Sequence, residues 1–274
     1  MSHNVKNILK NILPPFIVNA YKSIVQKDHF FGNFNNWEEA KKKSLGYEAS
    51  VILERVKKAL LKVKNGEAVF ERDSVTFDKI EYSWPLLASL LWISTQNNNE
   101  LRVVDFGGSL GSSYFQNISF LKHLTVISWN VVEQPHFVTC GKIFFEDNNL
   151  HFFDNIKSCV EKTESKTIIF SGVIQYLEKP FVVLQEVVDQ NIEYVIFDRT
   201  PTITESNRIV VQRVKETIYP ASFPSWLFNE NDFSNFFLKK HYDLVAEFRA
   251  NDGVWFSNGL RVEHKGFIFK RKQI

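Results

Sequence analysis

Leu101-Arg102-Val103-Val104-Asp105-Phe106-Gly107-Gly108-Ser109-Leu110-Gly111 decides the reading of this chain. Six residues form an apolar strand that ends in a carboxylate. Three glycines follow within five residues, and then a helix-compatible run to Leu121. Strand, glycine turn and helix in that order give such a motif its meaning. Glycine permits positive φ and lets a ligand approach without a Cβ in the way. The texture around the turn agrees. Strand candidates at Leu101–Phe106, Val126–Val132, Leu150–Phe153, Thr167–Ser171 and Tyr194–Asp198 alternate with helical intervals such as Gly111–Leu121 and Pro180–Gln190. This alternation predicts an α/β fold with a doubly wound, mostly parallel, Rossmann-like sheet. Tyr242–Phe248 and Gly266–Lys270 read as strands without a helix between them, an antiparallel pair at one end of the sheet.

The turn also discriminates between ligands. A dinucleotide fingerprint requires G-x-G-x-x-G, and aligning Gly108 and Gly111 puts Phe106 in the first glycine slot. The acidic-x-G-x-G-x-G pattern of class I methyltransferases fits Asp105, Gly107 and Gly111, with Ser109 in the middle slot and Gly108 beside it. A carboxylate at the strand end repels a pyrophosphate. It accepts bonds, directly or through water, around the cationic end of S-adenosylmethionine (SAM). Glu133, with Gln134 beside it, ends the second strand and is placed to hold ribose hydroxyls. Asp154, after the third strand, is placed near an adenine amine. Ser171, Gln175 and Tyr176, after the fourth, face the crevice at the strand carboxyl ends. His136, Tyr176 and Asp198 are candidates for a general base, and none is preferred over the others.

The flanking segments are less specific. Residues 1–36 read as an amphipathic N-terminal segment broken at Pro14-Pro15, with Phe31–Asn36 as a loop. Residues 37–99 read as a helical extension, with one helix from Trp37 to Lys64 and another from Trp84 to Ser94. Residues 100–274 read as the cofactor-binding domain. Residues 1–70 carry 12 Lys/Arg against 6 Asp/Glu, so the nearly neutral chain (+2) has a basic beginning. That beginning fits peripheral contact with an anionic membrane, an acidic substrate, docking on the protein's own body or on a partner, or plain solvated helix faces. No Lys/Arg tract with interleaved aromatics points to nucleic acid. Cys140 and Cys159 form no CxxC or Cys/His cluster, so no metal is expected and a reducing, cytoplasmic compartment is. Apolar residues at 44% with 26 phenylalanines allow a large core.

Taken in order, Asp105–Ser112, Trp129–Gln134 and Ser171–Leu177, with Phe70–Ser74 and Trp84–Leu87 upstream, resemble a family of bacterial SAM-dependent methyltransferases defined by sequence more than by biochemistry. The resemblance spans about residues 37 to 270. It implies a class I methyltransferase fold with a helical N-terminal extension and a small-molecule or glycan acceptor, by association with surface-polysaccharide biosynthesis. It also raises the 70–74 cluster as an acceptor-pocket lining. Tyr219–Trp226 reads as an acceptor lid or sugar-stacking surface, or as ordinary packing. A non-catalytic SAM-binding regulator, a pure interaction protein and an NAD-dependent oxidoreductase are the competing functions.

Overall fold

The computed structural model describes residues 29–45, 49–72, 74–214, 221–257 and 259–273. The amphipathic pieces before Pro14-Pro15 and after it, to residue 28, lie outside the described residues, as does Asp73. The chain forms a mixed α/β fold around one ten-stranded sheet. Its centre is built from β4 (Glu100–Phe106), β5 (Val126–Val132), β6 (Leu150–Phe153), β7 (Thr167–Ser171) and β8 (Tyr194–Ile203). These run parallel in the order β6-β5-β4-β7-β8. Val103, Val104, Ile168, Ile169, Val195 and Ile196 are fully buried, as unbroken apolar runs covered on both faces require. Beyond β8, the antiparallel β12 (Leu260–Arg271) pairs with it and carries β11 (Tyr242–Ser257) on its far side. The expected C-terminal strand pair is therefore present, and longer at both members than the sequence pattern indicated.

Helices cover the two faces. α2 (Ala49–Lys64), α3 (Trp84–Gln96), α4 (Ser112–Leu121) and α5 (Pro135–Phe144) pack on one side, through Leu60, Leu90, Leu121 and Phe137 against Val103, Trp129 and Ile196. α6 (Ile156–Thr163), α7 (Pro180–Asp189) and α8 (Glu230–Leu238) pack on the other. That second layer is built largely of phenylalanine. Phe197 stacks on Phe170 at 5.1 Å between centroids and meets Phe233 edge-on at 4.9 Å. Phe237 stacks on Phe269 at 4.7 Å. Offset and edge-to-face pairs of this kind add to their area burial.

Three segments differ from the sequence reading. The expected loop at Phe31–Asn36 is mostly a strand, β1 (Phe30–Phe34), antiparallel to β9 (Arg208–Arg213). Its Gly32-Asn33 pair hides it from propensity, and the pairing is fixed by burial of Phe30 and by the Arg213 guanidinium over the Phe31 ring at 4.2 Å. The expected single helix from Trp37 is two: α1 (Trp37–Lys43) stops where Ser44 turns extended and its hydroxyl bonds back to the Lys41 carbonyl, and α2 begins at Ala49. The aromatic segment read as a lid enters β10 (Ser222–Asn229), which pairs with β9 along its length and with the end of β8. Trp226 is held by a bond from its indole N–H to the Leu177 carbonyl, 3.0 Å, so the packing alternative holds there.

Because Phe197 is fully buried and touches four other rings in the phenylalanine layer, Phe197→Ala is expected to lower the unfolding free energy by about 3–5 kcal/mol. Urea unfolding followed by far-UV circular dichroism measures it. A loss below about 1 kcal/mol would place the stabilising core elsewhere.

Candidate functional site

The glycine turn leaves β4 through a backbone that few side chains tolerate. Gly107 has φ +68, and a Cβ there would stand 2.3 Å from Val173 Cγ2. A Cβ on Gly108 would lie 2.4 Å from Asp105 Cγ. The turn thus folds directly over the carboxyl group that precedes it. Ser109 occupies the middle glycine slot of the pattern and keeps glycine's geometry, φ +56, at the strain a non-glycine residue carries in the left-handed region. Gly111, φ +96, caps α4 and supplies no side-chain oxygen to its first N–H groups.

Asp105 is 1% exposed, and the Trp129 indole N–H donates to its Oδ2 at 2.9 Å. Burial pushes its pKa up to about 7. The Trp129 bond pulls it down and the nearby Glu133 charge raises it further. Glu133 accepts the Gln134 backbone N–H at 2.7 Å. Burial raises its pKa as well, against hydrogen bonds from the Gln134 and Ser109 backbones.

A third carboxylate arrives from outside the parallel sheet. Glu71 sits in the hairpin of β2 (Phe70–Arg72) and β3 (Val75–Phe77) and is 2% exposed. It accepts a bond from the Ser112 hydroxyl, on the first residue of α4, and from the Ser74 N–H at 2.7 Å. A carboxylate therefore stands beside the uncapped start of α4, where the helix dipole favours negative charge.

These groups line one cavity of ≈ 290 Å³, close to the lower end of small-molecule sites. Of the residues singled out from the sequence, Asp105, Gly107, Gly108 and Ser109 line it, as do Glu133, Gln134 and Ser171. Glu71, Arg72 and Ser74 of the 70–74 cluster line it too. Four others stand apart. Gly111 packs on Leu150 at the head of α4. Asp154 is exposed beyond β6. Gln175 is buried in a one-turn helix (Ile174–Tyr176), and Tyr176 points to the other sheet edge, donating to Gln212 at 3.0 Å and meeting Phe223 edge-on. Of the base candidates, Asp198 lines the cavity, whereas His136 and Tyr176 do not.

The far wall comes from residues distant in sequence. Arg199 is ion-paired with Asp252 at 2.9 Å, and Arg72 with Glu81 at 3.2 Å. Ser83 at the head of α3 and Asn251 in β11 complete it. Asn251 donates to the Tyr82 carbonyl at 3.1 Å, tying the two segments together. Nothing in the local pattern around Ser83 or Asn251 marks them; only the tertiary fold brings them to the cavity.

No family model and no curated protein matches the chain. Among solved structures it is similar to the N-terminal domain of EvdMO1 with S-adenosylhomocysteine and D-fucose, at 10% identity and a TM-score of 0.48, over 83% of this chain and 98% of that one. It is also similar to a Burkholderia thailandensis 1,6-didemethyltoxoflavin-N1-methyltransferase (10%, 0.42, 84% and 95%). A Leishmania major SAM-dependent methyltransferase is a third (15%, 0.43, 81% and 82%). These identities and scores are low, and the functional reading rests on the residues of this chain.

The raised pKa of Asp105 has a stability consequence. In the unfolded chain this carboxyl ionises near ~4; in the fold it keeps its proton to about 7. Unfolding then releases a proton between those values, so this contribution is full below about pH 4 and is lost as pH rises through about 7. Asp105→Asn removes it. The variant is expected to gain about 1–4 kcal/mol on the wild type between about pH 4 and pH 8. Urea titrations at the two pH values test this, and an unchanged difference would contradict the buried, neutral carboxyl.

Proposed function

We propose that the chain is a SAM-dependent methyltransferase acting on a small-molecule or glycan acceptor. One observation carries the reading: three carboxylates, Glu71, Asp105 and Glu133, surround the glycine turn, and one of them stands beside the start of α4. A pyrophosphate-bearing cofactor needs that helix start for its own negative charge. Here a buried carboxyl group already stands there, so the site leaves no room for a pyrophosphate and disfavours NAD.

Bound SAM supplies an activated methyl group on a cationic sulfur. The chain's residues supply position and charge. Gly107, Gly108 and Ser109 give backbone room for close approach. Asp105 faces the cationic amino-acid end, and its ionised form is stabilised by the positive charge it meets. Glu133 accepts from the ribose hydroxyls, with Gln134 and Ser171 beside the same ligand. Residues 37–99 form a cap over a methyltransferase domain of residues 100–274, and Glu71 and Arg72 of the cap, with Ser74, close the cavity over the acceptor. Alignment of the two reactants and exclusion of water by this cap are the main catalytic contributions. An acceptor from surface-polysaccharide synthesis agrees with the polar far wall of Arg72, Glu81 and Arg199.

The reading predicts that SAM binds and NAD does not in titration calorimetry. Binding a cation against Asp105 shifts it to the ionised form, so protons are released near neutral pH. Affinity is then expected to be roughly tenfold tighter at about pH 8 than at about pH 6. Asp105→Ala should abolish binding. No SAM binding at millimolar concentration, or NAD binding tighter than SAM, would sink the proposal.

A further inference from the structure

The far wall of the cavity contains a backbone irregularity that the cofactor does not require. β8 and β12 pair Phe197 with Phe267 and Thr200 with Lys265. Asp198 and Arg199 are therefore opposed by Gly266 alone, a β-bulge of two residues against one. Bulges of this kind re-aim side chains. Arg199 takes φ +61, rare for a residue with a side chain. As a result two consecutive strand residues, which ordinarily point to opposite faces, both line the cavity.

The surroundings leave room for the bulge. Gly266 has no space for a Cβ, which would lie 2.0 Å from the Phe248 ring. The Gly172 N–H donates to the Asp198 carbonyl at 2.9 Å, fixing the strand end. Arg199 Nε donates to Asp252 at 2.9 Å, which holds the guanidinium to the side. Asp198 itself is 2% exposed, and its Oδ1 is buried without a hydrogen-bond partner. A buried carboxylate oxygen without a partner is costly, and here it belongs to a cavity-lining residue.

Resting on the methyltransferase reading, we propose that Asp198 is the catalytic base, its carboxylate receiving the proton of an acceptor that is methylated on a hydrogen-bearing oxygen or nitrogen. In the step, the acceptor O–H or N–H bond breaks and its proton passes to Asp198. The acceptor lone pair forms the new bond to the methyl carbon. The methyl–sulfur bond breaks, and its electron pair stays on sulfur, which becomes a neutral thioether. Asp198 returns its proton to solvent after product release. A carboxylate acceptor needs no such base, so the methylated group is an alcohol, phenol or amine rather than a carboxylate. Burial raises the Asp198 pKa, opposed by the Arg199 charge and a hydrogen bond from Ser83. A carboxylate with a raised pKa is a stronger base than an exposed one.

The test uses the full chain with methyl-labelled SAM and a pooled probe set of neutral sugars, amino sugars and catechol, with hydroxyl-free carboxylic acids such as benzoate as the control class. Transfer to at least one O–H or N–H probe is expected, with none to the acids. Asp198→Asn should lower that transfer by about 100-fold or more and remove the rise in rate with pH, while SAM affinity by calorimetry stays within twofold. In the presence of S-adenosylhomocysteine, the unmethylated probe should bind more weakly to the variant. Asp198→Glu should restore part of the rate. Asp198→Asn that keeps more than a tenth of the activity overturns the proposal. So does methylation confined to the acids, or SAM binding with no transfer to any probe. Loss of SAM binding by the wild-type protein is a separate outcome and overturns the underlying reading instead.

Discussion

The structure turns on the Asp105 carboxyl packed beneath Gly108. The end of β4 and the glycine turn that leads into α4 meet at that contact. Gly108 is required because a Cβ would strike the carboxyl carbon. Trp129, reaching across from the neighbouring strand, fixes the carboxyl with its indole N–H and fills the core below it. A buried carboxyl costs folding free energy in its charged form, and the raised pKa of Asp105 is the measure of that cost.

The other elements serve this arrangement in two ways. The phenylalanine layer and the long β11–β12 pair clamp β8, so that a strained bulge at Asp198 and Arg199 is held in place by surroundings that cannot relax. The β2–β3 hairpin brings Glu71 to Ser112, joining the segment before residue 99 to the first turn of α4. The hairpin and the sheet thereby line one polar cavity together. The carboxylates around the glycine turn and the two bulge residues all line the same cavity.

The parallel core was legible in the sequence because buried parallel strands are continuous apolar runs. Val126–Val132, Leu150–Phe153 and Thr167–Ser171 stand at the boundaries their composition indicates. β1 and β10 were not legible. Gly32-Asn33 and Pro224 carry turn propensity, and only pairing with β9 overrides it. At the site, the glycine turn and Glu133 were visible because their chemistry is local to strand ends. Ser83 and Asn251 were invisible, since each reaches the cavity through contacts between segments far apart in sequence. Tyr176 follows a strand end in sequence, yet after the turn at Ile174–Tyr176 its hydroxyl donates to Gln212, and it does not line the cavity.

The central claim is that the carboxylates around the glycine turn form a cation-selective cofactor site. A crystal structure with SAM bound tests it most directly. The account predicts the methionine amino group beside Asp105 and the glycine turn, the ribose hydroxyls within hydrogen-bond reach of Glu133, and Glu71 still on Ser112. A ligand lying outside this cavity, or one whose carboxylate displaces Glu71 from the start of α4, would contradict it.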